Sequence, residues 1–353
     1  MKVIILLLLV LFHISCKSFE KNYTDTLRVE KEIILDSSFS YSTPNKLFGI
    51  HFVNYNGLQY VAFLDHDSFI KFLPLDKEVN ERKLDFEPVL VKTSNYFSIR
   101  FYDSKLFLLD ISKTLLQVFN YESDTLFEAK RYDFSQLLDW RKYYIKHQFN
   151  NSFEIFDSLI FLSYGIHNSK SNYLDDRSYL ITKLDSGLKY HLDRELNYPK
   201  QFRKGRQYST DTYLRMINDS CLLYTFKSMD SIYIYNFKSG KIIFSSEFNK
   251  FSQYRQFEKK KAMDLGYVRW YEFTNEMNVN VVVSDGKIII LKRLKKENIN
   301  DKSNYEYYVL DASLGLIYNN KFEVDVNPNY CFPSSNGFII FDKSMLKAYQ
   351  YAM

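Results

Sequence analysis

The side chains able to do chemistry in this sequence fall into three groups. In the first, Asp65-His66-Asp67 and His191-Leu192-Asp193 set a histidine beside carboxylates, which are metal-ligand types, but the paired histidines of an HExxH helix are missing. Asp65 to Asp67 also falls where a hairpin turn is required, so no metal and no cofactor is expected. The second group brackets a loop, with Tyr164-Gly165-Ile166-His167 at its start and Asp175-Asp176-Arg177 at its end. Two carboxylates at a suitable separation hydrolyse a glycoside, which makes a glycan hydrolase or lyase the alternative reading. There is no GxSxG nucleophile elbow, no phosphate-cradling glycine loop and no CxxC pair. No catalytic residue is assigned.

The third group is basic and aromatic. Arg203, Lys204 and Arg206 lie in the stretch NYPKQFRKGRQYST, and Tyr254, Arg255, Lys259, Lys260, Lys261 and Trp270 crowd a second stretch. Guanidinium groups pair bidentately with carboxylate, sulfate or phosphate, and aromatic faces stack on sugars and cations. These residues are candidates for binding an anionic glycan or an acidic partner; equally they are solvated loops of a lysine-rich chain. Arg100, Arg215 and Arg269 sit in or near inner strands, where they either face a central channel or pair with carboxylates between repeats. A formal net charge of +5 over 353 residues is too dilute for a nucleic-acid stripe.

Repeats are what must position these groups. An alternating strand, a tight polar turn and a bulkier strand recur as HFVNYNGLQYVAFL, SIRFYDSKLFLL, FEIFDSLIFL, LRMINDSCLLY, NVVVSDGKIIIL and CFPSSNGFIIF. Aligned on the second turn residue, the copies fall at Gly57, Ser104, Ser158, Ser220, Gly286 and Gly337, at steps of 47, 54, 62, 66 and 51 residues. Third and fourth strands follow each copy, as SIYIYNF and KIIFSSEF do after Ser220. Four strands per period of about 40–50 residues is the pattern of a β-propeller blade, with insertions lengthening the steps. With 31 Phe and 30 Tyr against 10 Gly and 6 Pro, composition also leans all-β. The expectation is an all-β, six-bladed propeller over residues 27–353; the 66-residue step leaves room for a seventh blade, and a two-sheet sandwich is the competing architecture. After MLKAYQY the chain lacks a fourth strand, and TLRVEKEIILD near the start has the look of one. Pairing the two would close the ring and remove an open edge. Insertions between copies carry the basic groups, and Asp133 is placed to cap a short helix holding Leu137, Leu138, Trp140 and Tyr144.

Ahead of the repeats, Lys2 is followed by the apolar run from Val3 to Phe12, then by His13-Ile14-Ser15-Cys16. The run is about half the length a spanning helix needs. It resembles a bacterial lipoprotein signal, with His13 where a leucine is usual. That resemblance implies cleavage after residue 15, a lipid on Cys16 and a tether to residue 26, and Lys17 in place of a retention aspartate favours the outer membrane. Of the remaining cysteines, Cys221 and Cys331 fall in non-adjacent repeats and are expected to be buried free thiols. A lipobox, a short tether and six Tyr/Phe/Lys/Asn-rich β repeats together are similar to a Bacteroidota lipoprotein family of six-bladed propellers, a domain of unknown function with a TolB-like fold. The resemblance implies an exported, cell-envelope protein and transfers no catalytic residue. The resulting expectation is a non-enzymatic binding or scaffold module, tethered through Cys16 and facing the periplasm or the cell surface.

Overall fold

A computed structural model describes residues 29–34, 50–55, 58–64, 70–74, 97–122, 125–134, 143–145, 153–157, 159–166, 181–184, 190–191, 212–247, 257–261, 263–284, 286–301, 303–311, 316–324, 331–334, 337–342 and 347–352. Within them the strands group into six antiparallel sheets, here called one to six in the order of their first strands. Sheet one begins at Ile50–Tyr55, two at Phe97–Tyr102, three at Phe153–Phe156, four at Thr212–Asn218, five at Met277–Ser284 and six at Cys331–Ser334. These first strands correspond to the opening strands of the six sequence copies. Each is hydrogen-bonded to the strand that follows it in the chain, as the short turns dictate.

Turn chemistry explains the local pairing. Asp103 and Ser104 both adopt positive φ, 48° and 55°, which gives the two-residue turn whose twist matches flanking strands. Tyr102 then pairs with Lys105. Gly286 supplies the corresponding positive φ of 70° in sheet five.

Side-chain alternation sends the two faces of sheets three and four into the seams with their neighbours. Phe107, Leu109 and Leu116 of sheet two pack with Phe153, Ile155 and Leu162 of sheet three. Phe161 of sheet three packs with Leu214, Leu222, Tyr224 and Phe237 of sheet four, and Leu223 and Ile234 of sheet four with Val281, Ile288 and Ile290 of sheet five. Phe237 meets Phe161 at 5.1 Å and Phe156 at 5.6 Å between ring centroids, so the aromatic richness is spent filling inter-sheet seams. The first strands of consecutive sheets are neighbours from sheet one through sheet six.

Two further features concern the sheet edges. The N-terminal strand Val29–Ile34 runs antiparallel to Lys347–Ala352, so sheet six takes its outermost strand from the start of the chain. The outermost strands of sheets two, four and five each carry one extra residue, at Ala129, Ile243 and Ile317, and the N-terminal strand carries one at Glu30. A bulge at an edge twists the strand and blunts pairing with other chains.

The structure differs from expectation after sheet two. Asp133 ends the strand Thr125–Asp133 and Phe134 enters a 3-10 turn, while Leu137, Leu138 and Trp140 lie outside the described residues; Tyr143–Ile145 is a strand along Tyr164–Ile166, so Tyr144 is not helical. The consecutive Tyr-Tyr-Ile favours an extended backbone over a helix. A helix, α1 (Leu265–Thr274), lies between sheets four and five. Cys221 is a buried free thiol, as expected, in the seam between sheets four and five.

Candidate binding site

Three of the first strands each carry one charged residue inside an apolar pattern: Arg100 in FSIRFY, Glu154 in FEIF and Arg215 in TYLRMIN. Adjacency of these strands brings the three together. Arg100 Nη2 donates to Glu154 Oε1 at 3.1 Å, and Arg215 Nη1 donates to the same oxygen at 3.5 Å. Each guanidinium is also fixed by its own strand, Arg100 donating to Ile99 O and Arg215 to Leu214 O, both at 2.8 Å. Arg215 Nη2 reaches Asn280 Oδ1 on the first strand of sheet five at 3.4 Å. The Arg100 guanidinium lies 5.6 Å from the Phe153 ring centre. One polar belt thus crosses four sheets.

Two guanidinium groups converge here on one carboxylate oxygen. Burial pushes the Arg215 guanidinium down to about 10, with Glu154 opposing that shift and Arg100 adding to it; it remains cationic at neutral pH. The belt is still reached by water, since the side chains of Arg100, Glu154 and Arg215 keep 19%, 11% and 12% exposure. Ser98, on the same strand face as Arg100 and two residues away, is fully buried, and its hydroxyl has no hydrogen-bond partner among the described residues.

Arg269 does not join this belt. It is exposed on α1, with its guanidinium 6.0 Å from the Phe273 ring centre. Asp264 caps α1 by accepting from Tyr267 N at 3.1 Å. The far end of α1 is bolted down: Lys227 pairs with Glu272 at 2.7 Å, and Arg293 donates to the carbonyls of Glu272 and Asn275. Lys260 and Lys261 are exposed, Lys261 pairing with Glu258 at 3.0 Å and lying 5.0 Å from the Tyr267 ring centre. Lys259 precedes them in the same 3-10 turn. Trp270, part-buried, stacks at a tilt on Tyr267. Basic and aromatic residues from the second stretch therefore do cluster.

A second charged cluster lies inside sheet five. Lys292 Nζ meets Glu276 Oε1 at 3.0 Å and Glu306 Oε2 at 3.3 Å, with side-chain exposures of 1%, 2% and 7%. Lys292 and Glu306 are paired across adjacent strands.

Cys16, Asp65 to Asp67, His167, Asp175 to Arg177, Asp193, Lys200, Arg203, Lys204, Arg206, Tyr254 and Arg255 lie outside the described residues. His191 ends the strand Tyr190–His191 of sheet three. Among the described residues, no three His, Cys, Asp or Glu side chains gather to hold a metal, and no helix is long and apolar enough to cross a membrane. Sequence reasoning missed Glu154, Asn280 and α1. Their signals were present as a lone carboxylate in an inner strand and as Asp264 ahead of Tyr267 and Tyr271 at helical spacing.

No protein-family model matches the chain, and no curated protein does. Among solved structures it is similar to a member of the DUF4221 family from Bacteroides vulgatus, 14% identical, with a TM-score of 0.66 over 93% of this chain and 97% of that one. That likeness is one of fold. A candidate exported protein from Bacteroides fragilis aligns at 9% identity and a TM-score of 0.49, over 90% of this chain and 86% of that one. The WD40 domain of Toxoplasma gondii coronin aligns at 8% identity and a TM-score of 0.42, over 90% and 69%.

Proposed function

We propose that the chain is an exported lipoprotein held at the outer membrane through a lipid on Cys16, and that it works as a non-enzymatic binding or scaffold propeller for an anionic ligand or partner. On this reading the six sheets are six blades around a channel lined by their first strands. The N-terminal strand completes the last blade, and its bulge at Glu30 matches those on the outermost strands of sheets two, four and five.

The observation that carries the ligand class is the convergence of Arg100 and Arg215 on one oxygen of Glu154, in a place water reaches. A carboxylate, sulfate or phosphate group entering the channel meets two oriented guanidinium forks and the Asn280 amide. Bidentate fit and charge, with no bond broken, suit recognition. Basic residues around α1, and those at Arg203, Lys204, Arg206, Tyr254 and Arg255, would form the rim.

The test is binding of a panel of uronic-acid and sulfated oligosaccharides by calorimetry. The account expects the anionic members to bind, neutral ones not, and affinity to fall as salt rises. Binding that ignores ligand charge would overturn it.

A further inference from the structure

The segment before sheet five exposes large apolar side chains on a rigid mount. Met263 is 93% exposed, Leu265 81% and Phe273 42%. Leu265, Arg269 and Phe273 recur every four residues, so they line one outward stripe of α1, while Tyr271 and Thr274 on the other side are buried. The mount is firm, because the Asp264 cap, the Lys227–Glu272 pair and the Arg293 bonds fix both ends of the helix. Around the stripe, residues 258 to 269 carry four basic side chains and two acidic ones. Both acids are engaged, Glu258 with Lys261 and Asp264 with the helix N-terminus. Lys260 and Arg269 form no ion pair among the described residues.

Protruding Met and Leu side chains are unfavourable in water unless something apolar receives them. Cations on α1 and on the turn before it, with Tyr267 and Trp270 behind, offer an anionic bilayer both phosphate partners and apolar side chains for its headgroup layer. We infer that the outward stripe of α1 docks on an anionic lipid surface: Met263, Leu265 and Phe273 enter the acyl boundary, and Lys260 and Arg269 meet lipid phosphates. This rests on the reading that the basic rim meets an anion, and it names that anion as a lipid headgroup. In the proposed ring, Val29 begins at the end of its sheet away from α1. The twelve residues from Lys17 to Arg28 reach about 40 Å when extended, against roughly 23 Å for a seven-residue strand. A lipid on Cys16 and α1 can therefore meet the same membrane.

The experiment is co-sedimentation of the full chain with vesicles of phosphatidylcholine alone and of phosphatidylcholine with phosphatidylglycerol; the first controls for the apolar N-terminal run. The wild type is expected to partition roughly tenfold or more in favour of the anionic vesicles. The Met263→Glu/Leu265→Glu variant and high salt should each abolish that preference. Because both positions are exposed, the variant should keep its thermal midpoint, and a shifted midpoint would move the test to Lys260→Ala/Arg269→Ala. An anionic preference unchanged in both variants overturns the lipid assignment. If vesicles are not preferred but dextran sulfate still binds in a salt-dependent way, the lipid assignment fails and the anionic-ligand reading stands. If neither binds, both fail.

Discussion

Two charged clusters among the described residues are opposites in composition. At sheet five one lysine sits between two glutamates, sealed from water and confined to one sheet and the residue that leads into it. Between sheets two, three and four, one glutamate sits between two arginines on inner strands, and water reaches all three. The first cluster is local: Glu306 faces Lys292 across adjacent strands, and Glu276 enters from the residue just before the sheet. With every member buried, it acts by holding the sheet. The second joins sheets far apart in sequence, with two guanidinium groups on one carboxylate oxygen. Burial separates a structural ion network from one that a ligand can join.

The largest effect should come from the sealed cluster. Replacing Lys292 by Met would leave two carboxylates buried without their cation, at a cost of about 3–5 kcal/mol, seen as a lowered denaturant midpoint at an unchanged slope. Adding Glu276→Gln and Glu306→Gln should recover much of the loss. Anion affinity should not change in the folded fraction. A change there would erase the distinction between the clusters.

Next comes the open cluster. Arg100→Gln and Arg215→Gln should each weaken binding of an anionic oligosaccharide by roughly tenfold or more, as expected for loss of a charge-assisted hydrogen bond. Calorimetry at two salt concentrations would show the salt dependence flatten with each arginine removed.

The smallest effect concerns an exposed pair. On the outermost strand of sheet two, Arg131 donates to both oxygens of Glu128, at 2.8 and 2.9 Å, and Gln117 donates to one of them at 2.7 Å. The Arg131 hydrogen bonds hold the Glu128 carboxyl below its ordinary value of 4.5. A lowered folded pKa means the stabilisation is fully present above about 4.5 and is lost as pH falls through the folded value. The gap in thermal midpoint between wild type and Glu128→Gln should therefore be small at neutral pH and close below pH 4.5. A gap that widened in acid would contradict the pairing.

How legible these regions were in the sequence follows from what fixes each one. The strand pairs were readable because turn residues such as Asp103-Ser104 and Gly286 dictate local backbone geometry, and at Ser220 the Asn218 side chain accepts from Ser220 N to hold the turn. Pairing of the N-terminal strand with Lys347–Ala352 was readable as a missing strand at one end and a surplus strand at the other. Arg100 and Arg215 stood out as charges in apolar strands. Glu154 as their shared partner did not, because 54 and 61 residues separate it from them and only the stacking of sheets brings them together. Arg269 was misplaced for the reverse reason: its neighbours alternate weakly, and the Asp264 cap that makes the segment helical is a single residue. The Lys292 cluster was invisible because a lysine buried across from a glutamate reads as an ordinary surface pair.

The most direct test of the account is the affinity of a Glu154→Gln variant for an anionic oligosaccharide. Glu154 competes with ligand for both guanidinium groups, so removing its charge should tighten binding by roughly tenfold while the variant loses some stability from two arginines left close together. A variant that is destabilised but binds the oligosaccharide no better, or more weakly, would show that the belt only ties the sheets together and that the anion site lies elsewhere.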